Sequence, residues 1–179
     1  MAKITIFGLA GTGTSSVGKL LADKLGYKYL STGDIFFRKK AAELGITLLE
    51  IDKRAIKDPS IDRECDEEMK KFGRENGDFV IESRLAWFFI PDSFKVKLFC
   101  DLEVRTKRLA ARDGISFNQA QRHIQEREAT YSERYQKYYG LEDIEADKNF
   151  DLVIDSTNTG IEECVAIILY HLGRRKNAS

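Results

Sequence analysis

Net charge, disulfide capacity and membrane-spanning length are all missing from this chain, and each absence closes off a class of function. Lys plus Arg and Asp plus Glu both total 29. No global basic field therefore draws in a nucleic acid polymer or an anionic membrane, and any anion must be held by local basic clusters. The three cysteines, Cys65, Cys100 and Cys164, are odd in number, far apart and free of any C-x-x-C spacing. They suggest neither a disulfide framework nor a zinc site, which fits a reducing, cytoplasmic setting. No apolar run approaches the roughly 20 residues of a membrane span, and no signal-peptide hydrophobic stretch precedes the first strand. The chain is expected to be soluble and unprocessed. Internal repeats and low-complexity linkers are also lacking, and 179 residues suit one domain with small inserts.

What is present begins at Lys3. Ile4, Thr5 and Ile6 form a short run suited to a buried strand, which breaks into glycines at Gly8, Gly11 and Gly13. Val17, Leu20, Leu21 and Leu25 then recur at helical spacing. Strand, glycine-rich turn and helix form the setting in which backbone N–H groups converge on phosphate oxygens, helped by the partial positive charge of the helix start. Gly8 to Gly13 fits the phosphate-loop spacing G-x-x-x-x-G-K-[ST], with Leu9, Ala10 and Thr12 between the glycines and Ser16 behind them. The lysine is absent: Thr14 stands in its place, while Ser15 keeps the hydroxyl that coordinates Mg²⁺. The alternative is a glycine-rich turn without a ligand.

The rest of the chain alternates strand and helix. Strands are predicted at Tyr27–Leu30, Phe79–Ile81, Phe94–Cys100 and Asp151–Asp155. Helices are predicted after Ser31 or Thr32 as N-cap up to Gly45, from Thr47 to before Pro59, over Ile61–Glu75, from Asp101 or Leu102 to Arg112, over Phe117–Tyr139, and from Ile161 onward. Such alternation predicts an α/β protein with a parallel sheet flanked by helices, its ligands at the strands' carboxyl ends. Gly8–Ser16, Ser31–Asp34, Glu82–Arg84 and the stretch after Asp155 all fall at that edge.

The order of G-L-A-G-T-G-T-S-S, S-T-G-D-I-F, V-I-E-S-R-L-A from Val80, L-E-V-R-T-K-R-L-A-A-R-D-G from Leu102, the E-R-E…R-Y spacing of Glu126–Tyr135 and D-L-V-I-D from Asp151 resembles the nucleoside monophosphate kinases, and among them the archaeal-type cytidylate kinases. The resemblance runs nearly end to end. It implies a P-loop NTPase-type core at about 1–31, 78–101 and 148–175, a helical insert binding the nucleoside monophosphate (NMP) at about 32–77, and a helical lid at about 102–140. It also implies ATP- and Mg²⁺-dependent phosphoryl transfer to CMP or dCMP by a monomeric cytoplasmic enzyme.

Physical chemistry gives these residues matching roles. Phosphoryl transfer requires two anionic reactants held in line and their charge neutralised, work suited to arginine. Arg84 sits near the phosphate loop and can bridge phosphates with its planar fork, while Glu82 can hold Mg²⁺ through water. A surface turn with an ion pair is the bland alternative. Arg105, Arg108 and Arg112 share one helix side, and Arg127 and Arg134 another; interleaved glutamates make solvated, salt-bridged faces the competing explanation. The resemblance makes Arg127 and Arg134 phosphate ligands, with Arg108 and Arg112 beside the ATP. It also assigns Thr32, Gly33, Asp34, Asp62 and Arg63 to the acceptor, and Asp155, Thr157 and Asn158 to the adenine rim. An N-cap and a plain strand-to-helix turn are the alternatives for the first and last of these groups. Tyr131 and Tyr138 are read as packing residues, and His123 and His171 as structural.

Three positions depart from the family pattern. Thr14 can donate one neutral hydrogen bond but brings no charge, and losing one preorganised donor typically costs ~3–4 kcal/mol at a transition state. Lys19 cannot replace it, because five residues along a helix move its base roughly 7 Å. G-D-I-F-R reads G-D-I-F-F-R, putting Phe37 where arginine is expected and Arg38 about 100° further round a regular helix, so Arg38 substitutes only if the helix shifts. Trp87 replaces a glycine after E-S-R-L-A. Two alternatives to a pyrimidine monophosphate kinase stay open: a P-loop kinase for another nucleotide or small metabolite, and a nucleotide-binding protein without kinase activity.

Overall fold

The computed structural model describes residues 2–177, with the side chains of Asp34, Lys176 and Asn177 outside the description. Five strands, β1 (Lys3–Phe7), β2 (Lys28–Ser31), β3 (Phe79–Glu82), β4 (Phe94–Phe99) and β5 (Leu152–Asp155), pair in parallel in the order β2-β3-β1-β4-β5. β1 lies at the centre, and Ile4 through Phe7 are all buried, as a strand covered on both faces requires. Its one polar side chain there, Thr5, is satisfied by Ser93 Oγ at 2.9 Å.

Alternation along each strand sends side chains to two cores. On one face Ile4, Ile6, Val80, Val96 and Ile154 pack against α1 (Thr14–Leu25) and α8 (Ile161–Asn177) through Val17, Leu21, Val165, Ile168 and Leu172. On the other, Phe79 and Ile81 meet Met69 of α4 (Ser60–Glu75) and Ala86 and Ile90 at α5 (Ala86–Phe89). Each fully buried Ile or Phe contributes roughly 1.5–3 kcal/mol by transfer from water.

Between β2 and β3 run α2 (Lys39–Glu43), α3 (Leu48–Lys57) and α4, with α3 opened by a full capping box between Thr47 and Glu50. Between β4 and β5 run α6 (Leu102–Asp113) and α7 (Phe117–Tyr139), the latter capped by a second box between Ser116 and Gln119. Helix ends agree with their turn residues: Gly26, Gly114 and Gly140 hold left-handed C-caps.

One local expectation is corrected and two short elements are added. The segment after β2 does not start as a regular helix capped by Ser31 or Thr32. Gly33–Arg38 is a π-helical turn whose N-cap, Thr32, makes no side-chain cap, and Ser31 directs its hydroxyl to Glu82 instead. The short α5 and a 3₁₀ turn at Asp147–Asn149 lack the length to show periodicity and were not predicted.

Candidate active site

Register places three chain exits side by side. Ile6 and Ser31 both pair with Glu82, so the turns after β1, β2 and β3 emerge together at the carboxyl edge. They enclose a cavity of about 570 Å³, lined by every residue from Gly8 to Val17, by Ser31–Gly33, Phe37 and Arg38, by Glu82–Arg84, and by Arg108, Arg112 and Arg127. This is the size of a small-molecule site.

The phosphate loop is built by exclusion of side chains. Gly11 has φ +87°, and a β-carbon there would lie 2.7 Å from the Arg105 carbonyl oxygen of α6. Gly13, at φ 93°, is the N-cap of α1 and offers no side chain to its first-turn N–H groups, which leaves them for an anion. Thr12 folds the loop back on itself, its N–H and hydroxyl both donating to Leu9 O at 3.2 and 2.8 Å.

Glu82 collects hydroxyls. Thr14 Oγ1 donates to Oε1 at 2.9 Å, and Ser15 Oγ and Ser31 Oγ donate to Oε2 at 3.2 and 2.6 Å. The one neutral hydrogen bond that Thr14 can donate goes here to a carboxylate, while the residue still lines the cavity. Half-buried nearby, Tyr29 has its hydroxyl pKa pushed up to about 12, first by desolvation and then by the charge of Glu82. Ser15 and Glu82 together form a hard-oxygen donor pair, which fits Mg²⁺ in chemistry; a magnesium site needs only one or two protein oxygens beside the phosphates.

Four guanidinium groups face the loop across the cavity. Arg84 stacks 3.8 Å above the Tyr131 ring, and its buried Nε has no hydrogen-bond partner among the described residues. Arg127 is held by Nε to Asp52 Oδ2 at 2.8 Å, and Arg112 by the neighbouring Asp113 at 2.7 Å. Arg38 has its pKa lowered, chiefly by burial and then by repulsion from Arg112 and Arg127. Crowded like charges of this kind favour an anion between them. Arg108 is differently employed: its fork donates to the carbonyls of Ser156 at 2.8 Å and of Thr157 and Gly11 at 3.4 Å, tying the loop to the turn after β5.

Not every expected residue reaches the cavity. Arg134 is 1% exposed and packs away from it, against Asp52 and, as facing charges 2.9 Å apart without the alignment of a hydrogen bond, Asp62. Asp62 is buried with it, and Arg63 lies exposed on α4. None of the three lines the cavity. The side chain of Asp34 lies outside the described residues. Arg105 leaves the shared face of Arg108 and Arg112 to pair with Glu128 at 2.6 Å. Beyond β5 the cavity wall is Ser156, Thr159, Gly160, Ile161 and Cys164, whereas Asp155 and Thr157 close a local turn at 2.8 Å. Lys19 is exposed and does not line the cavity. Tyr131 and Tyr138 pack as expected, their hydroxyls bonded to Asp52 and to the α3 carbonyls.

Sequence reasoning missed Asp52, and it placed Ser31 at the ligand edge without its bond to Glu82. Asp52 carried a signal: it interrupts the Leu48, Ile51, Ala55 stripe of α3, where a buried carboxylate demands a cationic partner.

A parallel sheet with a glycine-rich loop opening on α1 and arginines facing it defines a P-loop kinase. The chain belongs to the cytidylate kinase-like family, whose pattern it matches over residues 3–158, and it is an enzyme of the nucleoside monophosphate kinase class. It is 39% identical over 168 residues to the cytidylate kinase of Archaeoglobus fulgidus, a match covering 93% of this chain and 92% of that protein. Solved structures share the fold alone. An uncharacterized protein from Eubacterium ventriosum superposes with a TM-score of 0.72 at 19% identity, over 97% of this chain and 99% of that one. The shikimate kinase of Acinetobacter baumannii, solved with shikimate, gives 0.63 at 16% identity over 98% and 95%. Among the described residues no helix is long and apolar enough to cross a membrane.

Proposed function

We propose that this enzyme transfers the γ-phosphoryl group of ATP to CMP or dCMP. An oxygen of the acceptor's phosphate attacks the γ-phosphorus, the bond to the β,γ-bridging oxygen breaks, and ADP and a nucleoside diphosphate leave. The observation that carries this is the convergence of Arg38, Arg84, Arg112 and Arg127 on one cavity opposite the Gly8–Ser16 loop. That is the arrangement needed to hold a triphosphate and a monophosphate in line.

In this mechanism the loop N–H groups and the start of α1 bind the β- and γ-phosphates. Arg84, with its unpartnered Nε, bridges donor and acceptor; Arg38, with Thr32 and Gly33, takes the acceptor phosphate. Arg127 and Arg112 close on the transferring group, supplying the positive charge that Thr14 does not. Ser15 and Glu82 are the residues that would hold Mg²⁺, which when bound neutralises charge on the β- and γ-oxygens. A steady-state assay with ATP, Mg²⁺ and a panel of nucleoside monophosphates and small hydroxyl acceptors tests this. Turnover is expected with CMP and dCMP above the rest; preference for another acceptor changes the substrate, and no turnover with any overturns it.

One observation favours a second reading, a nucleotide binder without turnover: Thr14 gives its hydroxyl to Glu82 and leaves the place of the loop's cation without charge. It requires ATP binding by calorimetry with phosphotransfer undetectable across the whole panel.

A further inference from the structure

We propose that Asp52 of α3 is a positioning residue that aims two of the cavity's arginines and joins α3 to α7 as one moving unit. Its catalytic consequences rest on the kinase reading above.

Asp52 never touches the cavity. It is 2% exposed, yet two of the polar groups bonded to it lead toward the site. Its Oδ2 accepts from Arg127 Nε at 2.8 Å and from the Tyr131 hydroxyl at 3.1 Å. The first bond fixes the guanidinium of Arg127 at the cavity wall. The second fixes the ring on which Arg84 lies, with its guanidinium carbon 3.8 Å from the centroid. A cation held over an aromatic face in a dry setting is oriented by it, so one carboxylate sets the direction of Arg127 directly and of Arg84 through Tyr131. Arg134 completes the arrangement from behind, donating to the Asp52 carbonyl at 3.2 Å and facing Oδ1 at 3.5 Å.

The same contacts cross between segments that meet nowhere in sequence. Arg127, Tyr131 and Arg134 lie along a single face of α7, while Asp52 belongs to the segment between β2 and β3. About one turn beyond Arg134, Lys137 and Tyr138 of α7 donate to the carbonyls of Ala55 and Ile56 near the end of α3, at 2.6–3.1 Å. Lys53 reaches Glu126 at 3.2 Å on the opposite side. A buried carboxylate stripped of its cations is strongly disfavoured, so α3 and α7 separate only by abandoning all of these bonds together. Opening the cavity by moving one helix alone is therefore the unfavourable route.

Hydrogen exchange on the full chain, with and without Asp52→Asn, tests the coupling without any need for turnover. The asparagine keeps an acceptor for Tyr131 and removes the charge. Amides of α3 and of central α7 are expected to exchange at least tenfold faster together, with β1 and β3 unchanged. Acceleration of α3 alone, or of neither helix, overturns the proposal. Should Asp52→Asn fail to fold, Arg127→Gln removes the same pair from its less buried end and is read in the same way. With ATP and CMP, Asp52→Asn, Arg127→Ala and the double variant form a cycle. The double variant is expected to retain at least tenfold more kcat than the product of the single losses predicts, and losses that simply multiply count against positioning. If the wild-type chain turns over no acceptor, the kinase reading fails while the exchange result still judges Asp52.

Discussion

At position 11 the phosphate loop has no room for a β-carbon, because a positive φ and the backbone of a neighbouring helix both demand glycine there. Gly11 combines φ +87° with the backbone of Arg105 at 2.7–2.9 Å, whereas Gly114 has a similar φ of +65° and nothing within 4 Å. Gly114→Ala meets only the left-handed backbone strain of about 1–2 kcal/mol. Gly11→Ala adds overlap with α6, for a total of roughly 2–5 kcal/mol, and pushes away the helix that carries Arg108. Urea unfolding is expected to separate the two variants by at least about 1 kcal/mol, with ATP binding lost in Gly11→Ala and kept in Gly114→Ala; equal behaviour would show the contact to be soft. Residues like Gly11 were legible in the sequence because the loop's spacing is local and each glycine has one physical reason to be there. Arg84 was legible for a related reason, since the end of a buried strand is where a parallel sheet gathers its ligands. Thr14 was only half legible. Its lack of charge is plain in the sequence, but its partner, Glu82, lies 68 residues away and is known only once β1 and β3 pair.

The element that departs most from its sequence pattern is the turn between β2 and α2. A π-helical turn holds one residue more than an α-helical turn, and Gly33–Arg38 holds the extra phenylalanine of G-D-I-F-F-R. The helix shift that Arg38 needs is thereby provided: Phe37 and Arg38 both line the cavity, and the Arg134 guanidinium lies 5.6 Å from the Phe37 ring. Deleting Phe37 restores the shorter spacing, so the turn is expected to relax to an α-helix with Phe36 taking the vacated position and Arg38 still lining the cavity. Steady-state kinetics of the deletion variant are expected to give an acceptor KM within about threefold of the parent, and Arg38→Ala a rise of at least tenfold, the scale of one charge-assisted bond. A deletion variant as impaired as Arg38→Ala would mean that the π turn does not set the register. Most elements were legible before any coordinates: the bounds predicted for α7, Phe117–Tyr139, are those observed, because a capping box opens it and Gly140 closes it. The π turn was not, since its hydrogen bonding responds to packing against α3 and Arg134, and periodicity over six residues cannot distinguish it from an α-helix.

Over the whole molecule, charge that cancels in the sum is distributed unevenly in depth, and the interior holds carboxylates that resist ionisation. Asp62 has its pKa raised to about 6, chiefly by burial, with Asp66 and Asp52 adding repulsion that the attraction of Arg134 does not overcome. Asp66 is likewise raised to about 6 by burial, against the opposing effect of a hydrogen bond from Tyr139. In the unfolded chain the two aspartates titrate near their ordinary value, so between about pH 4 and 6 the folded state binds more protons than the unfolded one. Their contribution to stability is therefore fully present below that window and is lost as pH rises through about 6. Surface carboxylates such as Asp92, Asp113 and Asp155 are shifted downward by their hydrogen bonds. They act with the opposite sign, but only below the ordinary carboxylate range, leaving the interval from pH 5 to 7.5 to the buried pair. Calorimetric melting at constant ionic strength is expected to show the midpoint rising by several degrees from pH 7.5 to 5.5. Asp66→Asn, which keeps an acceptor for Tyr139, is expected to melt higher than the parent at pH 7.5 and to show a shallower rise. A midpoint that falls over this interval, or an Asp66→Asn slope equal to the parent's, would mean that α4 and α7 solvate these carboxylates more freely than their burial implies.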